Sequence, residues 1–103
     1  MSDLLNVTSE NQPGRTVVRV AGEIDVSNSD ELDAAVAEAV NPGPAELVLD
    51  LVEVSFIDST GIRSLLQAAD RCAERSIALR VRPSTAVQRL AELTGITDRL
   101  SLE

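Results

Sequence analysis

The chain has no histidine, no lysine, no tryptophan and no tyrosine, and holds one phenylalanine, Phe56, and one cysteine, Cys72. Each absence removes a class of chemistry. Without histidine the common zinc sites and the Ser-His and Cys-His nucleophile pairs have no members. With one cysteine no internal disulfide can form, and the place of Cys72 beside Ala69 and Ala73 on a helical pattern makes it a core thiol. With a single aromatic there is no platform on which bases or sugars could stack. The nine basic residues are all arginine and lie scattered among seventeen carboxylates, for a net charge of −8, so no basic stripe tracks a phosphate backbone and nucleic acid is not an expected partner. No apolar run is long enough to cross a bilayer, and the start MSDLLNVTSE lacks the basic and apolar regions of a signal peptide. These features predict one compact cytoplasmic domain over residues 1–103, monomeric and not membrane-bound, with 44% apolar residues to supply its core.

What is present centres on Leu47 to Leu66, LVLDLVEVSFIDSTGIRSLL. Leu47, Val48 and Leu49 are apolar on successive positions, the pattern of a strand covered on both faces. After Ile57 come Asp58, Ser59, Thr60 and Gly61, and then apolar residues recur at Ile62, Leu65, Leu66, Ala69 and Ala73 with helical spacing. A buried strand therefore runs through a polar hinge into an amphipathic helix, and Asp58 or Ser59 is placed to cap its first turn. Gly61 inside that helix costs about 1 kcal/mol relative to alanine, which suggests a close approach by another chain or a neighbouring loop.

Around this unit the remaining elements follow in order. Met1 to Val7 predicts a first strand, Glu10 to Gly14 a turn, and Thr16 to Ala21 a second strand ended by Gly22-Glu23-Ile24-Asp25. The two strands pair as an antiparallel hairpin with a long loop. Ser27, Asn28 or Ser29 can cap a helix with Leu32, Val36, Ala39 and Val40 on one face, and Glu31 is spaced for a capping box with Asn28. Asn41-Pro42-Gly43-Pro44 stops that helix. The hinge helix runs to about Arg75, and Ile77 to Val81 is a further strand reached by a right-handed parallel crossover. Ser84 or Thr85 caps a last helix bearing Val87, Leu90, Ala91 and Thr94, with Gly95 as its terminator. The whole predicts an α/β domain with a small mixed sheet, an antiparallel hairpin followed by parallel strands, flanked by helices.

Three chemistries compete for the central unit. Asp58-Ser59-Thr60-Gly61 is one residue longer than the Asp-Ser/Thr-Gly of aspartic proteases, and those are built on strands, so a protease half does not fit. Leu49-Asp50-Leu51 resembles the acceptor strand of phosphorylated-aspartate receivers, but a receiver needs further carboxylates for Mg²⁺ and a late lysine, and Asp50 reads more simply as a polar residue at a strand end. The third is a docking surface governed by phosphorylation. VLDLVEVSFIDSTGI resembles the signature of STAS domains, in particular bacterial anti-sigma factor antagonists; Gly22-Glu23-Ile24-Asp25 and Arg82-Pro83-Ser84 with Val87, Leu90 and Thr94-Gly95 resemble two further blocks.

That resemblance implies a STAS-type fold and a non-enzymatic, cofactor-free partner switch. In such a switch the unphosphorylated antagonist binds an anti-sigma factor that is an ATP-dependent Ser kinase, ATP being bound by the partner, and so frees the sigma factor. Phosphorylation of the Ser after the hinge Asp, here Ser59, releases the partner, and a Ser phosphatase reverses it. Asp25, Ser27, Asn28, Asp58, Thr60, Gly61, Ile62 and Arg63 are then the expected partner-binding residues, with Thr60 the alternative hydroxyl. Arg63 departs from the small residue usual in the family and lies four residues after Ser59, one turn away, where it could hold a phosphate or enter the interface. A STAS scaffold subunit that is not switched, and the Asp50 receiver, are the alternatives.

Overall fold

The computed structural model describes residues 4–103. Strands β1 (Leu5–Gln12), β2 (Arg15–Ile24), β3 (Glu46–Ile57) and β4 (Ala78–Arg82) form one sheet in the order β1-β2-β3-β4. The first pair is antiparallel and the other two pairs are parallel. Helix α1 (Ser29–Val40) joins β2 to β3, α2 (Ser59–Glu74) joins β3 to β4, and α3 (Thr85–Thr94) and α4 (Thr97–Leu100) complete the chain. The mixed sheet, its antiparallel hairpin and the flanking helices are those expected.

Strand alternation separates two unlike faces of the sheet. On one, Val18, Leu49 and Val81 lie in register and join Leu32 and Val36 of α1 and Leu65, Ala68 and Cys72 of α2 in a continuous core. On the other, Val17 and Val48 are also closed off from solvent, at 1% and 0% exposure, with no place in that core. Arginines surround them. Arg15, Arg19, Arg80 and Arg82 pair with Glu10, Glu46, Asp50 and Glu103 at 2.6 to 3.9 Å, and the aliphatic stems of this lattice shield the valines. Exposed ion pairs each contribute about 0 to 1 kcal/mol, so the lattice matters chiefly as a lid.

Several boundaries differ from the sequence expectation. Residues 1–3 of the expected first strand lie outside the described residues. β1 continues to Gln12, and Gln12 faces Arg15 across a two-residue loop, Pro13-Gly14, so the hairpin is tight rather than long. The polar run Glu10–Gln12 reads as a turn but is an edge strand, because Glu10 pairs with Arg19 and Asn11 accepts a hydrogen bond from Thr16. Asp50 is not at a strand end. β3 runs seven residues further to Ile57, since Leu51, Val54 and Ile57 keep burying on the core face, and Asp50 sits mid-strand between Arg19 and Arg82 at 3.8 and 3.9 Å. The buried residues of α2 are Gly61, Ile62, Ser64, Leu65, Ala68 and Cys72; Ala69 is half-buried and Ala73 exposed. Cys72 lies in the core as expected, and burial pushes its thiol pKa up. The final segment forms α4, and Leu102 bridges Val81, covering the outer edge of β4.

Candidate functional site

The hinge lies at the carboxyl ends of parallel strands, where open α/β sheets place their binding loops. Ile24 and Ile57 are register partners, and the Asp58 N–H donates to the Ile24 carbonyl at 3.2 Å. The loops beginning at Asp25 and Asp58, thirty-three residues apart in sequence, therefore leave the sheet side by side.

Asp58 is the N-cap of α2, in extended conformation, and its Oδ1 accepts from the Gly61 N–H at 3.0 Å. Ser59 is the first residue of the helix and is exposed. Its hydroxyl makes no hydrogen bond among the described residues. The neighbouring hydroxyls are less available: Thr60 is half-buried, Ser64 is buried, and the Ser27 Oγ donates to Asp25 Oδ1 at 2.6 Å. Arg63, one turn along α2, is exposed and meets no carboxylate among the described residues.

The Asp25 loop is tied from both sides. Ser27 donates its hydroxyl and its N–H to Asp25 Oδ1, and these bonds hold the carboxyl pKa below its ordinary value. Asn28 was expected to form a capping box with Glu31. It sits at the N-cap position, but α1 begins with no side-chain cap; the amide turns back, accepting from the Asp25 N–H and donating to the Glu23 carbonyl, both at 2.9 Å. Asn28 is itself 2% exposed and serves two backbone groups of the half-buried loop, a stronger demand than an exposed helix end. Asn28→Ala should destabilise the chain by about 1 to 3 kcal/mol, read as a lower urea midpoint at unchanged slope.

Gly61 and Ile62 also face inward. A Cβ on Gly61 would stand 2.6 Å from Ile57 Cγ1 and 2.8 Å from Ile24 Cγ2, so the close approach inferred from the sequence is that of the chain's own strand ends. Ile62 is 5% exposed. Asn28, Gly61 and Ile62 thus build the floor of the site, and Asp25, Ser27, Asp58, Ser59, Thr60 and Arg63 line its surface. The sequence reading missed Val26, 76% exposed between Asp25 and Ser27. A lone valine in a polar turn was the available signal. Among the described residues no group of three or more acidic or cysteine side chains is placed to hold a metal ion, and no helix is long and apolar enough to cross a membrane.

Comparison with known proteins matches residues 6–103 to the model of the STAS domain. Over 97 residues the chain is 31% identical to an anti-sigma-B factor antagonist of Staphylococcus aureus, covering 91% of this chain and 88% of that one. Over 72 residues it is 32% identical to the anti-sigma-F factor antagonist RsfB of Mycobacterium tuberculosis, covering 70% of this chain; it spans only 59% of that relative's length. Among solved structures, an anti-sigma factor antagonist from Mycobacterium paratuberculosis superposes with a TM-score of 0.84 at 29% identity, covering 99% of this chain and 87% of that one.

Proposed function

The chain belongs to the STAS domain family, and from that premise we propose that it is an anti-sigma factor antagonist whose partner binding is switched at Ser59. Unphosphorylated, it binds an anti-sigma factor through the Asp25 and Asp58 loops and frees the sigma factor. The anti-sigma factor is itself the Ser kinase, with ATP in its own site, and a phosphatase restores the free hydroxyl. The chain performs no catalysis in this cycle.

The observation that carries the reading is Ser59 itself: an exposed, unbonded hydroxyl on the first residue of α2, above a floor built by Gly61 and Ile62. A kinase can reach it without unfolding anything. A phosphoryl group there adds about −1.5 to −2 charge at a helix start, where the dipole tolerates an anion, so the fold survives. The same charge stands next to Asp58 and near Asp25 on a face meant for close packing, so binding is what changes.

The test is to incubate the purified chain with its host's anti-sigma factor and ATP, then map the phosphoryl group by mass spectrometry before and after hydroxylamine. A hydroxylamine-stable phosphate on Ser59, absent from Ser59→Ala, is the expected result. A labile phosphate on Asp50 would make the chain a receiver, and a stable complex with no modification would make it an unswitched scaffold.

A further inference from the structure

β4 ends at Arg82, while β3 continues past its pairing with β4 to Ile57. Helix α3 packs against that end of β3, which is paired with β2 but open on its β4 side, and between them lies a groove of about 210 Å³ lined by Ser55, Phe56, Ile57, Ala86, Arg89, Leu90 and Leu93. Two features are unexpected in a chain with so few large exposed apolar groups. Phe56, the only aromatic, is 48% exposed rather than in the core, and Leu93 is 77% exposed on the opposite wall. The groove reaches Ile57, two residues before Ser59.

Its charge is also distinctive. The larger hollow of about 400 Å³ on the arginine-covered sheet face contains Arg19 and Arg82, and both are committed to Asp50. The groove contains Arg89 and no carboxylate, and neither Arg89 nor Arg63 has a carboxylate within ion-pair distance among the described residues. In a chain of net charge −8, two uncommitted arginines close to the hinge select an acidic counterpart. The volume is below the roughly 300 Å³ at which small-molecule sites begin, and suits one large side chain.

We propose that this groove is the anchor site for the anti-sigma factor, receiving one apolar side chain of the partner while a partner carboxylate beside it pairs with Arg89. The inference rests on the antagonist reading above and assigns it a second contact, on α3, outside the hinge loops. It also gives the switch a target: a phosphate on Ser59 would face the acidic surface that Arg89 and Arg63 attract.

The test titrates the purified anti-sigma factor of the same bacterium against wild type, Ser59→Glu, Leu93→Ser and Arg89→Glu by calorimetry, with sedimentation of each chain alone. Leu93 and Arg89 are exposed, so both variants should melt as wild type does. Expected are binding by wild type, loss in Ser59→Glu, and about tenfold or greater weakening in Leu93→Ser and in Arg89→Glu. Groove variants that bind within twofold of wild type, while Ser59→Glu does not bind, would overturn the groove and leave the switch standing. A wild-type chain that fails to bind removes the antagonist reading and the groove with it. A self-associating wild type made monomeric by Leu93→Ser, with partner affinity unchanged, would assign the groove to a second copy of the chain and overturn the proposal.

Discussion

Ser59→Glu is expected to bind the anti-sigma factor at least about a hundredfold more weakly than wild type, a change of about 2.7 kcal/mol, while unfolding at nearly the same denaturant concentration. The two halves of the expectation have different causes. Stability should change by no more than about 0.5 kcal/mol, because the side chain leaves an exposed position and the added carboxylate sits in the first turn of α2, where the positive end of the helix offsets its repulsion from Asp58. Binding should collapse, because the same carboxylate brings charge and bulk into a surface that must be desolvated on contact. Ser59→Ala is the control: the hydroxyl has no partner among the described residues, so its removal should leave affinity within a few-fold and abolish only the switch. Calorimetric titration paired with urea denaturation separates the outcomes. A Ser59→Glu chain that binds as wild type does would remove Ser59 from the interface.

Gly22→Ala is expected to lower folding stability by more than about 3 kcal/mol, because the added Cβ makes the tightest contact found at any of the five glycines. Gly22 has φ +107, and a Cβ there would stand 1.7 Å from the Leu4 carbonyl oxygen and 2.8 Å from its carbon. That carbonyl is already held by the Glu23 N–H at 3.0 Å. The obstacle is backbone at the entry to β1, tied to Glu23 by that hydrogen bond, so it cannot rotate aside as a side chain would, and backbone strain adds to the overlap. Domains of this size are typically stable by about 5 to 15 kcal/mol, so the variant would be near its limit. Gly43→Ala is the comparison: φ is +76 but nothing lies within 4 Å, so strain alone remains, about 1 to 2 kcal/mol. Urea midpoints of the two variants test the argument, and equal losses would show that the contact with Leu4 is unimportant. Because Gly22 leads into Glu23, Ile24 and Asp25, a milder displacement there would also shift the Asp25 loop.

The features that the sequence by itself determined are those set within a turn or a strand. The hinge at Asp58, the glycine terminator at Gly95 and the apolar run Leu47-Val48-Leu49 each depend on residues at most four positions apart, as do the cap candidates Asp58 or Ser59 and Ser84 or Thr85, between which the folded chain selects Asp58 and Ser84. Their order already implied a hairpin followed by parallel strands. What only the tertiary structure decided depends on which elements meet. Asn28 looks like a cap, and becomes an internal brace only once the end of β2 leaves Asp25 N–H and Glu23 C=O needing partners. Gly61 and Ile62 turn inward because Ile24 and Ile57 end together beneath α2. Asp50 stays mid-strand because residues further along keep finding the core. The groove at Phe56 and Leu93 exists because β4 stops short and α3 fills part of the space it leaves. Periodicity reports which face of an element is apolar; burial follows from the element packed against that face, and that neighbour lies tens of residues away in the chain.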